Sequence, residues 1–201
     1  MVTKPSSVTV YMNNSNEILA ARIAQHDVAS LEIIYDRFAS RVFTLAAMLS
    51  DCAEAERIVL QVFSRLWFEV NRYNLHGGSF QDWFLDLTRS HILTGLKRHK
   101  GRTAQEMVDA IDRWLSEATG QTIETRDELD QLGSGLPVRQ ALHDLTGEQR
   151  CVVVLAGYGG FKQEDIAQLL GWPLYKVQQH ATLGLQGLRN LVKPELVLER
   201  V

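Results

Sequence analysis

The most reactive side chains of this chain, six histidines and two cysteines, are spaced in a way that supplies no reaction. His26, His76, His91, His143 and His180 have no matching acid or nucleophile at a motif spacing. No Gly-rich phosphate loop, zinc-ligand spacing or nucleophile elbow occurs. Cys52 and Cys151 are too far apart for a metal or disulfide signature and read as reduced thiols. The expectation is no catalytic residue, no metal and no cofactor, hence no enzyme. Binding chemistry remains, and it concentrates in FKQEDIAQLLGWPLYKVQQHATLGLQGLRNLV, residues 161–192. Ile166, Ala167, Leu169 and Leu170 give a first helix an apolar face, Gly171 ends it, and Pro173 suits the first turn of a second. In that second helix Leu174, Val177, Ala181, Leu185, Leu188 and Val192 form one apolar stripe. Tyr175, Lys176, Gln178, Gln179, Thr182 and Gln186 lie off the stripe, with His180 at its margin. A glutamine amide pairs bidentately with adenine, discriminating by about 1–3 kcal/mol. Lys176 and Arg189 suit phosphates. The spacing fits a helix-turn-helix that enters a DNA major groove, and equally an ordinary helical hairpin whose polar residues are solvated.

The elements that must carry these side chains read as helices almost throughout. Residues 1–15 form a polar arm without helical period. A short helix after Asn14 or Ser15 carries Leu19 and Ile23, a break falls at His26 and Asp27, and a long helix runs through Ile34, Phe38 and Val42. A third, from about residue 53 to 71, turns Ile58, Val59, Val62, Phe63, Leu66, Trp67 and Val70 inward. The loop RYNLHGGS follows, and Ser79 can cap a fourth helix that buries Trp83, Phe84, Leu87 and Leu96 and ends in KRHKGR. Thr146 with Gln149 marks a capping box further on. Total charge is −3, but residues 103–135 hold eight acids against Arg113 and Arg126, so this middle carries −6 and the rest +3. The middle contains one amphipathic piece, Met107 to Ala118, with Val108, Ile111, Trp114 and Leu115. The fold class is all-α: two helical domains joined by a flexible acidic linker, the C-terminal one a helix-turn-helix. The expected boundaries are 1–15 for the arm, 16–102, 103–135 for the linker, and 136–195. No apolar run reaches membrane-spanning length and no secretory h-region is present, so a cytoplasmic protein without membrane insertion is expected.

This order of pieces resembles a bacterial RNA polymerase sigma factor of the extracytoplasmic-function type, within the sigma-70 superfamily. AEAERIVLQVFSRLWFEV looks like the helix that docks on core polymerase. RYNLHGGSFQDWFLDLTRSHILTGLKRHK looks like the loop and helix that open and read the −10 element. ALHDLTGEQRCVVVLAGYGGFKQEDIAQLLGWP and LYKVQQHATLGLQGLRNLV are similar to the −35-binding domain and its recognition helix. The resemblance implies a promoter-specificity subunit for transcription initiation. Its partners would be core RNA polymerase, promoter DNA and an anti-sigma factor or other regulatory protein. It implies core contacts at Glu54, Arg57, Ile58, Gln61, Val62, Arg65 and Leu66. It places Asn71, Tyr73, Asn74, Leu75 and His76 where a flipped −10 base is held, with Arg89, Lys97, Arg98, Lys100 and Arg102 at phosphates. It assigns the −35 element to Tyr175, Lys176, Gln178, Gln179, His180, Thr182 and Arg189. Trp83, Phe80 and Phe84 are read as scaffold.

The chain departs from the family pattern at three places. Arg57, Leu60 and Gln61 stand where an acid and a glutamine are usual before the VF of the core-binding helix. Gln178, Gln179 and His180 stand where several cations are usual, and Leu183 is apolar off the buried stripe. Lys162 replaces the Ser or Thr that caps the first helix of the motif. These departures motivate an alternative: a sigma-like regulatory protein that works by protein binding, for example anti-sigma sequestration, with weak or no promoter recognition.

Overall fold

Side-chain caps set most helix starts. The computed structural model describes residues 15–73, 78–98, 101–117 and 140–192, and within these every element is a helix. Ser15 Oγ accepts from the Ile18 amide and opens α1, Asn16–Ile23. The chain then turns at His26, whose φ of 63° is the left-handed conformation that closes a helix. Asp27 caps α2, Val28–Leu49, accepting from the Ala29 amide at 3.2 Å and the Ser30 hydroxyl at 2.6 Å. Asp51 accepts from the Glu54 amide at 2.8 Å at the start of α3, Cys52–Tyr73. Ser79 does the same for α4, Phe80–Arg98, through the Asp82 amide at 3.1 Å.

These four helices belong to a first unit, residues 1–101. Its core is built from Leu19, Ile23, Ile34, Leu45, Leu49, Ile58, Val62, Leu66 and Ile92, none more than 1% exposed. Aromatic rings close it. Phe84 meets Phe38 at 5.1 Å, Phe63 at 5.5 Å and Phe80 at 5.7 Å between centroids. Each such side chain withdrawn from water is worth about 1.5–3 kcal/mol, so α3 is held by its inner face rather than by helix propensity.

The second unit, residues 102–201, starts with α5, Ala104–Glu117. Thr103 and Glu106 cap it reciprocally, with the Thr103 amide 2.7 Å from the Glu106 carboxylate. Residues 103–135 were expected to be linker with one amphipathic piece in it; that piece is α5, which packs on α6, Gly147–Gly157. Met107, Val108, Ile111 and Leu115 recur at helical spacing and are buried there, while Glu106, Asp109 and Glu117 face water. Arg150 reaches Asp112 at 3.3 Å, and Trp114 packs on Tyr158 at 5.1 Å. The arm through residue 14, residues 118–135 of the expected linker, and residues 136–139 and 193–195 of the expected second domain lie outside the described residues.

Thr146 and Gln149 form the expected reciprocal cap on α6. Then α7, Gln163–Leu170, and α8, Leu174–Val192, make the hairpin, joined where Gly171 takes φ 63°. The face of α8 that packs on α6 differs from the expected stripe. Val177, Ala181 and Gly184 are buried, whereas Leu185 is 61% exposed and Leu174 37%. Leu185 lies about 80° round the helix from Val177, because eight residues overshoot two turns. Gly184 fills its place: a Cβ there would lie 2.6 Å from Val153 Cγ2, so the two helix backbones approach closely only because it is glycine.

Candidate nucleic-acid interface

In the first unit, α3 separates into two faces. Ile58, Val62 and Leu66 are 0% exposed and Glu54 is 7% exposed, so these four of the expected core-polymerase contacts face the unit's own interior. Hydrophobic spacing put them there: they continue the stripe that packs on α2 and α4. The outer face carries Arg57, Gln61 and Arg65 instead, with Leu60 at 68% and Phe68 at 73% exposure. Arg57 pairs with Glu54, and Arg65 with Glu69, which also pairs with Arg72 at 3.4 Å. Leu60 and Phe68 were not among the expected contacts. The signal was present, since both are large apolar residues eight apart and off the inner stripe.

The end of α3 and the start of α4 frame a hollow of about 520 Å³, lined by Glu69, Arg72, Ser79, Asp82, Trp83 and Asp86 among others. Tyr73 stands beside it, its ring 5.7 Å from Phe80 and 5.9 Å from Trp83. Burial, helped by the Glu17 charge, raises the Tyr73 phenol above its ordinary range, so it stays a neutral donor. Phe80 and Phe84 are scaffold at 0% exposure. Trp83 differs from that expectation: it is half-buried and forms part of the hollow's wall. Asn71 is exposed in the last turn of α3. Asn74, Leu75, His76 and Lys100 lie outside the described residues, as do the side chains of Lys97 and Arg98 in the last turn of α4. Arg89, expected at a phosphate, forms an ion pair with Asp86 and has a side chain only 16% exposed, which neutralises it within α4. Arg102 is half-buried at the beginning of the second unit.

In the second unit the hairpin presents one side of α8 to water. Tyr175 is 70% exposed, and Gln178, Gln179, Thr182, Gln186 and Arg189 are exposed with it. Thr182 returns its hydroxyl to the Gln178 carbonyl at 2.9 Å, so on this face the amides of Gln178, Gln179 and Gln186 are the exposed groups suited to paired hydrogen bonds. Lys176 and His180 are half-buried, both against the Trp172 ring. The α7 amides gain no side-chain cap from Lys162, although Glu164 and Asp165 in the first turn favour the helix dipole.

The sigma-70 region 4 family model matches residues 136–188, a range that takes in α6, α7 and most of α8. The chain is 23% identical over 187 residues to the ECF RNA polymerase sigma factor SigK of Mycobacterium sp. (strain KMS), covering 90% of this chain and 92% of that one. SigK of Mycobacterium tuberculosis (strain ATCC 25618 / H37Rv) is likewise 23% identical over 183 residues, with 89% and 94% covered. Among solved structures, CnrH in complex with the cytosolic domain of CnrY superposes with a TM-score of 0.44 at 16% identity, over 88% of this chain and 96% of that one. The sigma factor RpoE bound to the anti-sigma factor NepR from Bartonella quintana gives a TM-score of 0.35 at 19% identity, over 81% and 95%.

Proposed function

We propose that this chain is an extracytoplasmic-function sigma factor and directs core RNA polymerase to promoters through two separately folded units. The observation that carries this is the match to sigma-70 region 4, because it falls on the hairpin whose second helix leaves a row of amide side chains exposed. The similarity to SigK over nine-tenths of the chain extends the reading to the first unit. No covalent chemistry is required of the protein: it supplies binding free energy and sequence preference, and it works in the cytoplasm where polymerase and chromosome meet.

In this scheme α8 enters the major groove at the −35 element. Gln178 and Gln179 read base edges, with Tyr175 and Thr182 beside them, and Lys176 and Arg189 contact phosphates. The first unit engages the −10 element around Asn71, Tyr73 and the following loop, with Lys97, Arg98 and Lys100 on the backbone. Core polymerase docks on the outer face of α3, through Arg57, Gln61 and Arg65 together with Leu60 and Phe68. An anti-sigma factor competing for one of these faces would regulate it. The test is reconstitution of the full chain with core polymerase from its source, followed by run-off transcription over a genomic promoter library. Promoter-specific transcripts are expected. Their absence, alongside tight binding to a regulatory protein, would replace this function with protein sequestration.

A further inference from the structure

The polar face of α8 is short of charge. Among the described residues of this helix only Lys176 and Arg189 carry a full positive charge, thirteen residues apart. That separation is about 20 Å along the axis, so the N-terminal half presents one lysine. This lysine is not left to swing in solvent. Its Nζ lies 3.8 Å from the centroid of the Trp172 ring, and the His180 ring lies 5.5 Å from the same indole. Trp172 is itself fixed by the turn: its amide donates to the Ala167 carbonyl at 3.0 Å, just after Gly171 at φ 63°. The indole therefore sits beside the first turns of α8, one turn from Lys176 and two from His180. It holds a cation by its face, through the ring quadrupole.

We infer that Trp172 is a positioning residue for DNA: it holds the Lys176 ammonium at the start of the recognition helix, ready for a backbone phosphate. Two physical consequences support it. A ring face attracts the ammonium without consuming its charge and leaves N–H donors directed away from the ring for a phosphate oxygen. A lysine already ordered also loses less side-chain freedom when it meets the phosphate than one that samples all its rotamers. One preset cation partly offsets the scarcity of cations on this helix. The inference rests on the promoter-binding function proposed above.

The test uses the full chain assembled with core polymerase, on a promoter fragment recovered from the run-off screen, with affinity measured across a salt series. Lys176→Ala should weaken binding and make the plot of log affinity against log salt shallower by about one. Trp172→Leu keeps apolar bulk without a ring, and should weaken binding about two- to fivefold at an unchanged melting temperature. Trp172→Phe should fall between it and the wild type. The deciding comparison is the double variant: Trp172→Leu should add nothing once Lys176 is alanine. A Trp172→Leu variant that binds as tightly as wild type, or that weakens binding equally in both backgrounds, overturns the inference and leaves the function standing. If Lys176→Ala, Gln178→Ala and Gln179→Ala all leave promoter affinity unchanged, the inference falls together with the DNA role of α8.

Discussion

Two cysteines of one chain behave differently because their surroundings do. Cys52 is exposed at the first position of α3, while Cys151 is buried in α6. Burial, with the charges of Asp112 and Glu148 adding to it, pushes the Cys151 thiol up to about 12. Ellman titration of the native protein should therefore find one fast thiol per chain, and two after denaturation. Two fast thiols in the native state would contradict the burial of Cys151. The same shift has a stability consequence. Above pH 9 the unfolded thiol ionises while the folded one stays protonated, so stability present below that pH is lost as pH rises toward the folded value of about 12. Over the whole window this is of order 4 kcal/mol, since each unit is worth about 1.4 kcal/mol. Cys151→Ala should be less stable than wild type at neutral pH, because of the cavity, yet show a flatter decline in melting temperature above pH 9. An identical alkaline decline in both proteins would show that other groups dominate it.

At the scale of elements, glycine and caps decide opposite signs for similar substitutions. Gly184→Ala drives a methyl to 2.6 Å from Val153, a β-branched side chain with few rotamers to escape into. The overpacking cost of about 1–3 kcal/mol exceeds the gain of about 0.5–1 kcal/mol from replacing a helical glycine. Gly157→Ala meets nothing within 4 Å, so only the gain remains. Urea denaturation should place the two on opposite sides of wild type, and a stabilising Gly184→Ala would refute the close approach of α8 to α6. Lys162→Ser should add about 1 kcal/mol by supplying the missing cap of α7, read in the same experiment as a shifted midpoint. On α3, Leu60→Asp with Phe68→Asp alters only exposed positions. It should leave the melting temperature within a few degrees while lowering core-polymerase affinity at least about tenfold, as for an interface anchor. Unaltered affinity in a pull-down titration would remove that face from the docking surface.

For the whole molecule, the division into residues 1–101 and 102–201 sets what each half can do. Each unit has its own buried set: the phenylalanine cluster in the first, and Ile111, Cys151, Val152, Leu155, Ile166 and Val177 in the second. A fragment of residues 102–201 should thus be helical by circular dichroism and melt cooperatively without the first unit. A fragment that begins at residue 136, where the sequence suggested the domain starts, lacks α5 and should melt lower or not cooperatively, because the apolar face of α6 loses its cover. Equal melting of the two fragments would show that α5 is dispensable.

The residues themselves determined the all-α class, the caps at Thr146 and Gly171, the absence of a side-chain cap at Lys162, and the order of pieces that resembles a sigma factor. All of these depend on neighbours within a few positions, or on a resemblance carried by the linear order. The tertiary structure decided the rest. It made α5 part of the second unit, because a stripe such as Met107, Val108, Ile111 and Leu115 is stable only against a partner the local sequence does not name. It turned Ile58, Val62 and Leu66 inward and left Leu60 and Phe68 outside, and it spent Arg89 on Asp86. It put Leu185 in solvent because Gly184 lets two helices approach, and it set Lys176 on Trp172. A helical period tells which residues share a face. Which face is covered, and by what, is a fact about packing between segments distant in the chain.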